Sequence, residues 1–125
     1  MTCYCGNEKT YGACCGRFHS GVENASTAQL LMRSRYSAYV LMLESYLLTT
    51  WHSTTRPAAL GFSDEEKTQW LGLEIKQHRI IDANNAQVEF VARYKIGGLP
   101  AVRLHEISDF IFEDGRWFYV MGIFP

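Results

Sequence analysis

Leu104-His105-Glu106-Ile107-Ser108-Asp109-Phe110-Ile111-Phe112-Glu113-Asp114-Gly115-Arg116-Trp117-Phe118-Tyr119-Val120-Met121-Gly122-Ile123 reads as two long strands joined by a two-residue turn. Asp-Gly tolerates the positive φ angles that a tight hairpin demands, and the residues around it are rich in aromatic and β-branched types. A two-residue loop sets the register, placing Glu113 opposite Arg116, Phe112 opposite Trp117, Phe110 opposite Tyr119, Ser108 opposite Met121 and Glu106 opposite Ile123. One face then carries Leu104, Glu106, Ser108, Phe110, Phe112, Trp117, Tyr119, Met121 and Ile123. Glu106 and Ser108 are thus polar groups on an apolar face, unless a β-bulge moves either of them to the other side.

Working outward, the last two strands are expected over 101–113 and 116–124, preceded by strands over 72–81 and 86–96. In 86–96, Val88, Phe90, Ala92, Tyr94 and Ile96 alternate with charged residues. Farther upstream, Ala28, Leu31, Met32, Tyr39, Met42, Leu43, Tyr46 and Leu47 recur at helical spacing. Ser26 followed by Gln29 has the form of a capping box, so one long helix is expected from 27 to about 50, with Arg35 inside its apolar stripe. Trp51-His52-Ser53-Thr54-Thr55-Arg56-Pro57 reads as a loop, with Trp51 as a core anchor and His52 as a hydrogen-bonded loop histidine. Ser63 with Glu66 forms a second capping box for a short helix to about 70. Helices followed by four mainly antiparallel strands, with no βαβ repeat, give the α+β class.

A chain of 125 residues suits one core. Twelve basic residues against thirteen acidic ones exert no overall pull toward nucleic acid. Lys9, Arg17, Arg33 and Arg35 make only the first forty residues mildly basic. No apolar run reaches membrane-spanning length, so no membrane association is expected. There is no phosphate-binding glycine loop, nucleophile elbow or His-Glu-x-x-His helix, which removes the usual signals of several enzyme classes.

All four cysteines lie in Cys3-Tyr4-Cys5-Gly6-Asn7-Glu8-Lys9-Thr10-Tyr11-Gly12-Ala13-Cys14-Cys15-Gly16-Arg17. Four thiolates can close a tetrahedral zinc site, and Gly6, Gly12 and Gly16 let a short loop turn back on itself. The alternatives are a disulfide from Cys3 or Cys5 to Cys14 or Cys15, and a redox thiol. No leader precedes the cysteines, which leads to the expectation of a reducing, cytoplasmic setting. His19 is a substitute ligand only if Cys15 is displaced. So few apolar residues precede residue 21 that this segment needs a metal to fold, and chelation is expected to disorder mainly 1–20.

The Cys-x-Cys-Gly, Lys9, Tyr11 and Cys-Cys pattern resembles the SEC-C motif, a small zinc-binding element also found at the C-terminus of the SecA translocation ATPase. Tyr4 stands where that pattern usually has Pro, and Glu8 where it usually has Gly. With Gly16-Arg17-Phe18-His19-Ser20-Gly21, Leu31-Met32-Arg33-Ser34-Arg35-Tyr36-Ser37-Ala38-Tyr39, Thr50-Trp51-His52, Val88-Glu89-Phe90-Val91-Ala92-Arg93-Tyr94, Leu104-His105-Glu106-x-Ser108 and Asp114-Gly115-Arg116-Trp117, the chain resembles the YchJ-like bacterial proteins over nearly its whole length. The resemblance implies a zinc knuckle at 1–20 on a nuclear-transport-factor-2-like cone at 21–125, with no established activity.

Three functional readings follow. The first is a zinc-bearing interaction module for a protein or ribonucleoprotein. The second is a small-molecule binder or enzyme using the cone, with Arg35, Tyr36, Trp51, Glu106, Ser108 and Trp117 as pocket residues and no assignable catalytic group. The third, RNA binding through the knuckle, is disfavoured by the acidic balance. Arg35 and Glu106, each in apolar surroundings, are expected to meet as a helix-to-sheet ion pair.

Overall fold

A computed structural model describes residues 2–62 and 68–125. Among these, β1 (Thr68–Asp82), β2 (Asn85–Ile96), β3 (Val102–Glu113) and β4 (Arg116–Ile123) form one antiparallel sheet in the order β1-β2-β3-β4. Ala86, Val88, Phe90 and Ala92 alternate along β2 and are all buried, which marks the face that carries the core. Three short helical elements cover that face and its edge: α1 (Cys15–His19), α2 (Ala28–Leu41) and α3 (Glu44–Thr49).

The hairpin tip forms as its sequence dictates. Asp114 and Gly115 both have positive φ, and Glu113, Phe112 and Phe110 face Arg116, Trp117 and Tyr119. Beyond Tyr119 the register shifts. Phe110 faces Tyr119 but Asp109 faces Met121, so Val120 is the extra residue of a bulge. Ser108 consequently pairs with Gly122, not Met121, and Ile107 takes the place opposite Ile123 that was expected for Glu106. Met121 and Ile123 turn to the outer face, 49 % and 55 % exposed, while Glu106, Ser108 and Phe110 stay inside. The loop after α3 runs along the free edge of β4: the His52 amide donates to Tyr119, the Tyr119 amide to Thr50, and the Thr55 hydroxyl to the Val120 carbonyl.

The expected single helix is two. Met42 adopts left-handed geometry, with its amide bonded to Ala38 and Tyr39 and the Leu43 amide returning to Ala38, the closure that terminates helices. Periodicity alone runs straight through this break because α3 resumes almost in phase. The N-cap is Thr27, whose Oγ1 accepts from the Leu30 amide at 3.1 Å, one residue later than the Ser26 box predicts. Ser63 and Glu66 lie outside the described residues. Residues 68–70 belong to β1 and not to the end of a helix.

α2 is buried on more than one side. Leu31, Met32 and Tyr36 join the core of the sheet, whereas Ser34 and Ser37, on what the periodicity reads as a polar face, are completely enclosed. The cysteine segment meets Ser37, which bonds Cys15, whereas Ser34 bonds the Tyr46 hydroxyl of α3 and, through its carbonyl, His19. Cys3, Cys5, Cys14, Cys15 and Phe18 belong to the same continuous core as α2, β2 and β3.

Candidate metal centre and inner cavity

The knuckle is held by local backbone bonds. The Cys3 amide donates to the Lys9 carbonyl at 2.8 Å, Thr2 bridges Thr10, and a 3-10 turn over Tyr11–Ala13 brings Cys14 back toward Cys5. Gly6 sits at φ 88°, a conformation that favours glycine, and a Cβ on Gly16 would collide with the Tyr11 carbonyl. All four thiols are buried, and their sulfurs lie within 4.8 Å of one another.

Cys5 Sγ and Cys14 Sγ are 3.7 Å apart, and Cys14 Sγ and Cys15 Sγ 4.0 Å. A tetrahedral zinc thiolate, with Zn–S of about 2.3 Å, separates its sulfurs by about 3.8 Å. The donor set therefore fits a tetrahedral, thiophilic ion. A disulfide would need sulfurs about 2.05 Å apart, and all four cysteines are free thiols.

The electrostatics point the same way. A hydrogen bond from Cys15, the largest effect on it, holds the Cys5 thiol down at about 5, with burial opposing. Burial and the Cys5 charge push Cys14 up to about 11, and Cys15 is driven far above the usual thiol range by its bond to Cys5. One thiolate thus suppresses ionisation of its neighbours, and a divalent cation would remove that conflict. The surroundings are polarised to match. Ser37 donates to Cys15 Sγ at 3.3 Å and lies 3.8 Å from Cys3 Sγ. Arg33 Nη1 donates to the Cys5 carbonyl at 2.9 Å and approaches its sulfur at 4.0 Å. Such outer contacts orient ligands and offset the charge of a tetrathiolate.

His19 is not among the ligands. One ring nitrogen is 2.6 Å from the Tyr11 hydroxyl, and Nε2 donates to the Ser34 carbonyl at 2.8 Å, so both are engaged in tying the knuckle to α2. Burial lowers its pKa and favours the neutral ring.

A second feature is a cavity of about 260 Å³ between α2 and the inner face of the sheet. Its closed end is formed by the buried Arg35, Phe90, Ala92, Glu106 and Ser108, and its other end by the half-buried Tyr39, Trp70 and Leu104. Tyr36 and Tyr119 also line it. Trp51 lies behind this wall, 5.0 Å from the Tyr119 ring, and Trp117 lines a separate recess beside Phe18, His19 and Tyr46.

The expected ion pair does not form. Arg35 Nη1 donates to the Leu47 carbonyl at 2.8 Å and to Thr50 Oγ1 at 2.7 Å, so the guanidinium caps the C-terminal end of α3. It also lies 4.6 Å from the centre of the Tyr119 ring and 5.1 Å from that of Trp51. Glu106 Oε2 accepts from Ser108 Oγ at 2.6 Å and from the Tyr119 hydroxyl at 3.2 Å. Tyr119 thus offers its face to the cation and its hydroxyl to the carboxylate. Burial, then Glu106, pushes the Tyr119 phenol well above its ordinary range. The break after α2 made this possible, because it turned the α3 carbonyls toward Arg35.

Gly122 is the residue that sequence reasoning missed most clearly. A Cβ there would overlap the Glu106 carboxylate, so the glycine makes the room in which that side chain lies. An isolated glycine within a strand was the available signal. Tyr119, Trp70 and Ser37 were also missed as site residues, whereas Arg33, one of the basic residues expected to offset the thiolate charge, does lie against Cys5.

Comparison with known proteins supports the same arrangement. The family model described as the YchJ middle, NTF2-like domain matches residues 27–122. The chain belongs to the YchJ-like family. A UPF0225 protein of Cupriavidus metallidurans is 54 % identical, with 96 % of this chain and 86 % of the relative aligned. A Xanthomonas campestris UPF0225 protein is 48 % identical over 94 % and 91 % of the two chains. The solution structure of a SEC-C motif containing protein from Rhodopseudomonas palustris superposes with a TM-score of 0.89 at 32 % identity, covering 100 % of this chain and 99 % of that one. A Psychrobacter arcticus SEC-C motif protein gives 0.82 at 28 % identity, covering 100 % and 83 %. The α+β, NTF2-like architecture and the YchJ-like assignment thus stand together, with a cysteine cluster able to hold a metal ion. No helix among the described residues is long and apolar enough to cross a membrane.

Proposed function

We propose that the protein is a zinc-stapled interaction module. Cys3, Cys5, Cys14 and Cys15 hold one structural zinc ion, which supplies a closed four-thiolate tether, and the knuckle so fixed presents a rigid rim to a protein or ribonucleoprotein partner. The observation that carries this reading is the convergence of four buried sulfurs at spacings suited to a tetrahedral ion. The thiolates themselves are inaccessible, so recognition falls to the rim. Tyr4 is 42 % exposed there and packs edge-on against Tyr11 at 5.9 Å, an amphipathic anchor on a fixed loop.

Capture of partners from the native cytoplasm by the zinc-loaded chain, compared with Tyr4→Ala, tests the reading. The variant is expected to keep its metal and melting temperature while losing the partner. An unchanged partner set places recognition elsewhere. A second reading, small-molecule binding in the cavity, is favoured by one specific observation: Arg35 and Glu106 line the same cavity without pairing.

A further inference from the structure

Two opposite charges in one buried cavity ordinarily pair, because each is costly to leave without a counter-charge. Here the fold keeps them apart. Arg35 is 2 % exposed and uses only Nη1 within the protein, leaving Nε and Nη2 as unused donors. Glu106 is 8 % exposed, and both its hydrogen bonds fall on Oε2, leaving Oε1 as an unused acceptor. Tyr119 stands between the two, and Gly122 leaves the space that holds the carboxylate in place.

The rest of the cavity is apolar and aromatic. Tyr36 meets Trp70 edge-on at 5.6 Å, and Tyr39 lies 5.8 Å from Trp70 on the half-buried side. About 260 Å³ equals the space of roughly nine water molecules at about 30 Å³ each, enough for a single ring or a branched aliphatic chain with a small polar head.

We infer that this cavity binds a small organic acid bearing a hydrogen-bond donor next to its carboxylate, an apolar α-amino acid or α-hydroxy acid, with the carboxylate on Arg35 and the donor on Glu106. An arginine fork with two unused donors matches a carboxylate. An unused carboxylate oxygen matches an ammonium or hydroxyl group. The apolar body then lies against Phe90 and Leu104 and extends toward Trp70 and Tyr39. This site is separate from the knuckle and depends on neither the zinc nor the partner proposed above.

The test is amide and side-chain NMR of the full zinc-loaded chain titrated with L-phenylalanine, L-leucine and their α-hydroxy acids, beside phenylacetate and phenethylamine. At least one two-headed acid is expected to shift Trp70 and Glu106 signals saturably and to bind at least tenfold more tightly than either one-headed probe. Glu106→Gln should bring its affinity down to that of phenylacetate. Absence of cavity shifts with all four two-headed acids overturns the proposal, as does equal affinity for one-headed and two-headed probes. The probe series on the unaltered chain decides the matter even if Glu106→Gln fails to fold. Zinc content measured on the same sample keeps a failed metal centre distinct from a failed cavity.

Discussion

Removing the zinc ion proposed for the four cysteines, by chelation or by Cys14→Ser, is expected to loosen the protein well beyond its first twenty residues. Binding of a structural zinc ion is worth about 10 to 16 kcal/mol in small zinc domains, comparable with the roughly 5 to 15 kcal/mol that stabilises a whole domain. The sequence favours disorder confined to 1–20, on the premise that helix and hairpin have a core of their own. The core is instead continuous, since the cysteines join one buried cluster with Leu31, Met32 and Tyr36, and Cys15 and Cys3 lie against Ser37. Without the metal, the flank of α2 under the knuckle would lose its buried contacts and present the Ser37 hydroxyl without its sulfur partners. The unfolding midpoint should fall by roughly 10 °C or more, with hydrogen-exchange protection lost in α1 and along α2. An unchanged midpoint, or loss of protection that stops at residue 20, would show that the cone stands without its staple.

Gly122→Ala is expected to destabilise the fold by about 2 to 4 kcal/mol, far beyond the usual cost of a surface strand substitution. The added methyl would occupy the position of the Glu106 carboxylate, and that group cannot simply swing away. Moving it breaks the bonds from Ser108 and Tyr119 in a buried setting. Two comparisons isolate the cause. Gly98→Ala, which meets nothing within 4 Å, should be nearly neutral, and Gly122→Ala should cost much less in a Glu106→Ala background. Denaturant unfolding of the unaltered chain, the three single variants and the double variant checks this. Additive effects of Gly122→Ala and Glu106→Ala would mean that the two residues do not compete for space.

What the sequence disclosed, and what it did not, follows from the range of each interaction. The turn at Asp114-Gly115 depends on two residues, and the pairs from Glu113 to Phe110 followed from it. The bulge at Val120 lies where the loop after α3 meets β4, with Thr55 donating to the Val120 carbonyl, and within β4 only the isolated Gly122 hints at it. The cysteine spacing pointed directly at a four-sulfur cluster because the ligands are local. The burial of Ser34 and Ser37 was invisible to helical periodicity, which counts apolar faces and cannot see Tyr46 of α3 and the knuckle arriving to cover polar ones. Arg35 and Glu106 line one cavity but do not pair with each other. Their actual partners depend on the helix break at Met42 and on Tyr119, neither of which the stripe or hairpin parity revealed.

One zinc ion held by all four cysteines is proposed to fasten the knuckle to α2. X-ray absorption at the zinc edge, on protein purified under reducing conditions without chelator, tests it most directly. One zinc per chain is expected, with four sulfur neighbours at about 2.3 Å. A shell containing nitrogen or oxygen would remove at least one cysteine from the set, and protein without zinc whose four thiols react freely would contradict the claim altogether.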